Sequence, residues 1–337
     1  MLNEFAFTPA VFDEDAHDDK LAWCDQVRKL TLSMFPDTSA WPVIVSDLYA
    51  GSWSSHIEAY VNSIQDHRAK KFVIELVTRM KQRLVTRPYC GDWPNEDDTA
   101  WCREAIATHA VEPIDRIVSV RKTRNSPNDD FSKVRCIDEV EDGGFWRGIN
   151  ADASPRMVIE AQVQLLRKLC LHSEWVALIN PYGFGSEQDF TIRLTALAMQ
   201  RNTSFGKLTI ELHANEPDAP DPAERARRQQ NATSHMERSI RPRVTPGNAV
   251  ELYCWPKLLD RIIVAGNYTR KSDGIRRKSP RWGVSMSHVA HGNEPDAPPT
   301  EWKLLRPGTL DQWFRAYVAE NAPGKAQPIV VAGQASQ

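Results

Sequence analysis

Apolar residues recur at helical spacing through the first 130 residues, then gather into short runs after Ser154. Over residues 18–35, Leu21, Cys24, Val27, Leu30 and Met34 share one helical face, and Pro36 ends the run. A longer helix is predicted from Ser54 or Ser55 to about Val85. Ile57, Tyr60, Val61, Ile64, Phe72, Leu76, Val77 and Met80 form its apolar side. Arg68, Lys70, Lys71, Lys81 and Arg83 lie opposite and read as a solvated face. Further helices are expected over 97–109 and 113–120. Residues 41–45 (Trp-Pro-Val-Ile-Val) read as a short strand. Pro88 to Pro94 interrupts the pattern, and the run 125–130 (Asn-Ser-Pro-Asn-Asp-Asp) is turn chemistry.

After Ser154 the rhythm changes. Ser154-Pro155 reads as a cap followed by proline in the first helical position, opening a helix to about Leu171. Strands are predicted at 175–179, 207–213, 250–255, 261–265 and 282–286, and helices at 186–200, 222–240 and 310–320. Strands separated by helices imply crossovers and a largely parallel sheet. The last three strands follow one another without helices, so that edge is expected to be antiparallel. The fold class is therefore α/β: a mainly helical N-terminal region followed by a mixed-sheet α/β domain. The domains are set at 1–130, a linker at 131–153, the α/β domain at 154–320 and a disordered tail at 321–337, rich in Ala, Pro, Gly and Gln.

Composition narrows the class. With 337 residues and 41% hydrophobic content the chain suits about two domains with proper cores. No apolar run approaches the ~18 residues a membrane helix needs, and the N-terminus lacks the layout of a secretory signal. The six cysteines are scattered, with no C-x-x-C pair, so reduced thiols in a cytoplasmic protein are expected. The formal charge of −2 divides unevenly, −7 over residues 1–150 and +5 over the remainder. That permits a basic surface on the second half.

Several motifs carry candidate chemistry. The segment 250–267 reads strand, short turn, then an apolar strand ending in small residues. It resembles the centre of a phospholipase D-like half-domain, and the preceding order of helices and strands fits that family over about 150 residues. The family's active motif is H-x-K-x(4)-D. Placed on this chain, its His position falls on Leu259, its Lys position on Arg261 and its Asp position on Gly266, with 283–287 at the family's Gly-Ser-x-Asn stretch. Only the basic residue survives. Arginine can still bind phosphate by bidentate hydrogen bonds, but phosphodiester chemistry by the family route lacks its nucleophile. The resemblance implies a degenerate, non-catalytic subunit of a multi-protein prokaryotic conflict system, antiviral defence included.

The octet His213–Pro220 recurs, with one change, at His291–Pro298. Each follows a predicted strand, and Asn-Glu-Pro-Asp is good turn chemistry. If the loops were neighbours, His213, Asp218, His291 and Asp296 would be candidate metal ligands or an acid/base set. Pro295-Asp296 with Glu301-Trp302-Lys303 spells a nuclease-like pattern, but the spacer is too short and too stiff for a hairpin. His288 and His291, three apart, point to opposite faces of an extended strand. The loop 181–185 before Ser186 lacks the lysine and spacing of a nucleotide-binding loop. No nucleophile elbow is present.

Two basic runs are the strongest positive feature. The first holds Arg225, Arg227, Arg228, Arg238, Arg241 and Arg243. The second holds Arg270, Lys271, Arg276, Arg277, Lys278 and Arg281, followed by Trp282, and contains the turn signal Lys-Ser-Asp-Gly. A basic loop with small polar residues and an adjacent aromatic suits phosphate-backbone contact. The expectation is a cytoplasmic complex subunit with no catalytic residue and no cofactor. Its partners are other protein subunits and possible nucleic acid, with no membrane. Binding is assigned to Arg261, Arg270, Lys271, Arg276, Arg277, Lys278 and Arg281. Two alternatives stand beside it: a metal-dependent phosphodiesterase or nuclease using His213, Asp218, His288 and His291, and a structural adaptor.

Overall fold

The computed structural model describes Met1 to Ala332 apart from residues 37–39, 92, 95–96, 128, 148, 150–151, 201–205, 271, 273, 293 and 295. The chain divides into two compact units, Leu2–Asn150 and Ala151–Gln337, with Met1 grouped with the latter.

The first unit is built on five parallel strands: β1 (Asn3–Phe7), β2 (Val43–Asp47), β3 (Leu84–Thr86), β4 (Arg116–Ser119) and β5 (Val134–Cys136), in the order β3-β2-β1-β4-β5. Helices Lys20–Met34, Trp53–Ser63, His67–Lys81 and Asp98–Val111 supply crossovers. Acidic N-caps start three of them: Asp19 accepts from Leu21 and Ala22, Asp66 from Ala69, and Asp97 from Ala100. The single helix expected from Ser54 to Val85 is two, because Asp66 caps a new helix after Ile64. The helix expected over 113–120 is instead β4, whose Ile117 and Val118 are β-branched and buried. Helical residues do outnumber strand residues here, as the periodicity indicated. Of this sheet the sequence marks only β2, the strand expected over 41–45; the other strands are three to five residues long, too short to show a period.

The segment 131–147, expected as part of a linker, is built into the core. Phe131, Val134, Ile137, Val140 and Phe145 are buried in the core of this first unit with Phe5, Val27, Leu76 and Trp101. A buried ion pair ties the sheet's middle to its edge. Glu4 on β1 faces Arg87, just past β3, with Nε–Oε1 at 2.7 Å and Nη2–Oε2 at 2.5 Å, both side chains essentially inaccessible. Ser46 Oγ donates to the same carboxylate at 2.6 Å.

The second unit holds an eight-stranded mixed sheet. Its strands are β6 (Asp152–Ala153), β7 (Trp175–Ile179), β8 (Thr209–Asn215), β9 (Ala249–Trp255), β10 (Ile262–Arg270), β11 (Arg276–Met286), β12 (Trp302–Leu304) and β13 (Ile329–Ala332). Their order is β13-β9-β8-β7-β10-β11-β12-β6. β7, β8 and β9 are mutually parallel. β10, β11, β12 and β6 follow antiparallel. The fold class is thus α/β with a mixed sheet. Helices Gln188–Met199 and Pro222–Ile240 serve as crossovers. The helix expected to open at Ser154 starts only at Ile159; the Pro155 carbonyl instead accepts from Thr300.

The tail assignment also changes. β13 pairs antiparallel with β9, and Ala322 and Val331 are buried. A low-complexity composition hid a strand of Ile-Val-Val-Ala that completes the sheet. Among the described residues, no helix is long and apolar enough to cross a membrane.

Replacing Arg87 with Met should destabilise the first unit by about 3–5 kcal/mol, because Glu4 would keep its buried charge without its cation. Chemical unfolding measures this. The double change Glu4→Gln with Arg87→Met should recover most of the loss; no recovery would show that the pair is not coupled.

Candidate nucleic-acid interface

The β10–β11 hairpin outgrows its sheet. β10 pairs with β7 only from Ile262 to Gly266, and β11 pairs with β12 only from Val284 to Met286. Beyond Gly266 and before Pro280, Asn267–Arg270 and Arg276–Ser279 pair only with each other among the described residues. The result is a two-stranded ribbon. A register shift at Ala265/Gly266 marks its root and leaves Arg281 as the extra residue of a bulge. Gly266 is required there: a Cβ would collide with the Ser279 carbonyl oxygen and the Trp175 ring. Glu174 and Trp175 grip the root, since Tyr268 N donates to Glu174 Oε2 at 2.6 Å and Trp175 Nε1 to the Asn267 carbonyl at 3.0 Å.

The predicted cations are not equivalent. Arg270 and Arg277 are exposed. They lie on the outer part of the ribbon, where Thr269 pairs with Arg277 and Arg270 stands directly opposite Arg276. Arg276 lies 3.1 Å from Glu174 and stacks 4.5 Å above Tyr268. Lys278 turns inward and pairs with Glu211. Arg281 is half-buried against Trp282, its guanidinium 4.5 Å from the ring, and burial lowers its pKa to about 10, leaving it charged at neutral pH. Lys271 lies outside the described residues.

Arg261 is also committed internally. Its Nη2 and Nε bind Glu187 at 2.7 and 3.1 Å, its Nη1 donates to the Ser287 carbonyl, and it stacks 4.8 Å from the Tyr182 ring. Its side chain is 15% exposed and Glu187's is 1% exposed. The expected phosphate-binding role gives way to an ion pair that fixes the Pro181–Ser186 loop. Leu259, at the nucleophile position of the phospholipase D-like resemblance, is 72% exposed.

Sequence reading missed the polar centre of this unit. On β8, Glu211 and His213 point to one face, with Ile210 and Leu212 on the other. Glu211 is fully buried and accepts from Lys278, from Lys325 (Oε2 at 3.1 Å) and from His213 Nε2 at 3.0 Å. Trp255 Nε1 donates to His213 Nδ1 at 2.9 Å, so the imidazole is neutral with its proton on Nε2. Tyr253 stacks on His213 and also carries the Lys325 ammonium 4.5 Å from its ring. Burial lowers the His213 pKa against the raising pull of Glu211. Burial would raise Glu211, but the His213 hydrogen bond and the two ammonium groups hold it well below the usual carboxylate range. The only available signal was the i, i+2 placement of two titratable residues in an otherwise apolar strand.

The alternative metal set is not assembled. His213 is sealed in this cluster, whereas Asp218, His288 and His291 are exposed, and His291 Nδ1 lies 3.3 Å from the Ser186 carbonyl. Among the described residues, no group of three His, Cys, Asp or Glu side chains is placed to hold a metal ion. No family model matches the sequence, and no curated protein matches it.

Both His213 and Glu211 have folded-state pKa values below their ordinary ones, so each contributes stability that is present at high pH and lost on acidification. For His213 the loss begins as pH falls below about 6.5, the unfolded value. Thermal melting should therefore fall between pH 7 and pH 5, and His213→Gln should flatten that slope. An equally steep slope in the variant would contradict the assignment.

Proposed function

We propose that this chain is a non-catalytic binding subunit that docks on the phosphate backbone of nucleic acid through the β10–β11 ribbon. The observation that carries the reading is the ribbon itself: the sequence from Asn267 to Trp282 has six cations and one acid, and Arg270, Arg276 and Arg277 are exposed on the ribbon. Arg270 and Arg276 face each other directly across it. Like charges in that position repel; Glu174 answers part of this on Arg276, and a phosphate beside Arg270 would supply a second counterion. Surface arginines of this kind position a protein on phosphates without reading sequence.

In this reading the second unit is a degenerate phospholipase D-like module. An exposed leucine stands where a nucleophile would be, and the arginine that replaces the family lysine is bound to Glu187. Chemistry then belongs to another subunit of a cytoplasmic assembly, and the family resemblance points to prokaryotic antiviral defence. All six cysteines are free thiols, which is compatible with a reducing compartment.

Gel-shift titration across a salt series tests the proposal. The protein should bind DNA at low salt, with affinity falling steeply as salt rises. Arg270→Ala with Arg277→Ala should weaken binding about tenfold and reduce the slope of log K against log salt by about 2, near 0.9 per lost phosphate contact. Absence of binding at low salt would remove the reading and leave the structural adaptor.

A further inference from the structure

We propose that a cavity in the first unit binds a small phosphate monoester. The site is independent of the ribbon, which belongs to the second unit. The cavity lies where β4 and β5 begin and holds about 300 Å³, the lower end of the roughly 300–1,000 Å³ typical of small-molecule sites. Arg116, Lys133 and Arg135 line it, together with Asp115, and over these four side chains the formal charge is +2. A phosphate monoester carries about −1.5 to −2 at neutral pH and matches that charge; a carboxylate or an uncharged sugar does not. The buried Ile114 and Ile117 also line the cavity and give the ester's organic group an apolar wall.

The fold leaves much of this positive charge unanswered. Arg116 donates from Nε to the Phe145 carbonyl at 3.1 Å, from Nη1 to the Asp115 carbonyl at 2.7 Å and from Nη2 to the Arg147 carbonyl at 2.8 Å. All three acceptors are neutral, so the guanidinium is held in place without being neutralised. Among the described residues it pairs with no carboxylate. A guanidinium has five N–H groups, so two are left to meet phosphate oxygens. Lys133 is exposed and makes no hydrogen bond or ion pair among the described residues; its charge is felt at Asp130, whose carboxylate bonds Ser132. Arg135 lies 3.5 Å from Glu139, a carboxylate that Arg124 already holds. Asp115 Oδ2 accepts from the Glu4 amide at 2.6 Å, which ties that oxygen to β1. One fixed guanidinium is thus flanked by two cations on long stems, and hydrogen bonds from such groups to phosphate are among the strong ones.

Isothermal titration calorimetry of the full chain with ribose 5-phosphate, adenosine 5′-monophosphate, adenosine and sodium sulfate makes the test. At least one of the two phosphoesters should bind, with adenosine and sulfate each about tenfold weaker or more, since a hydrogen bond to a charged group is worth roughly that factor. Lys133→Gln with Arg135→Gln should weaken the phosphoester by about tenfold or more on the same ground, with circular dichroism unchanged. Arg270→Ala with Arg277→Ala, on the ribbon, should leave phosphoester binding as it was. A 5′-phosphorylated and an unphosphorylated decanucleotide, offered to that ribbon variant, identify the source of the phosphate: preference for the first assigns a nucleic-acid end, and equal affinity assigns a free metabolite. Binding of neither phosphoester, sulfate binding as tightly as either, or full affinity in the Lys133 and Arg135 double variant would overturn the site.

Discussion

Glu211 sets the terms for the second unit. A carboxylate inside a sheet is costly unless cations and hydrogen bonds surround it. Here the partners come from three places in the chain: His213 two residues on, Lys278 from the ribbon and Lys325 from the tail. Satisfying one buried charge therefore roots the ribbon and closes the C-terminal segment over the sheet. Lys325 also donates to the Val318 carbonyl at 2.8 Å, joining the tail to the π-helical turn Phe314–Val318.

The first unit solves a similar problem in its own way. Glu4 sits on the central strand of the parallel sheet, and its cation, Arg87, arrives from just past the edge strand β3. In each unit a central carboxylate recruits a cation from far along the sequence. Such a pair adds little net stability over an apolar packing. What it does is punish any arrangement that leaves the charge alone, and so it favours one strand order and one tail position.

Much of the second unit was legible in the sequence. The apolar run Trp175–Ile179 and the alternating Thr209–Asn215 announce strands, and the absence of helices between β10, β11 and β12 announces an antiparallel edge. The first unit was less legible because Asn3–Phe7 and Arg116–Ser119 are too short and too uniformly buried to show a period. Charge was the hardest quantity to read. Arg261 and Lys278 read in the sequence as surface cations, yet they are consumed by Glu187 and Glu211, 74 and 67 residues away. Arg270, Arg276 and Arg277, carried by the outer part of the ribbon, keep the exposure the sequence suggested, with Arg276 beside Glu174.

Cations that build the fold thus extend into the ribbon as far as Lys278, and the boundary with the exposed ones, Arg270, Arg276 and Arg277, lies just beyond it. Hydrogen–deuterium exchange with and without a DNA duplex tests that boundary most directly. Slowed exchange is expected across Asn267–Ser279 on addition of DNA, with the amides of β8 around Glu211 unchanged. Protection that leaves the ribbon untouched and appears elsewhere on the chain would contradict it.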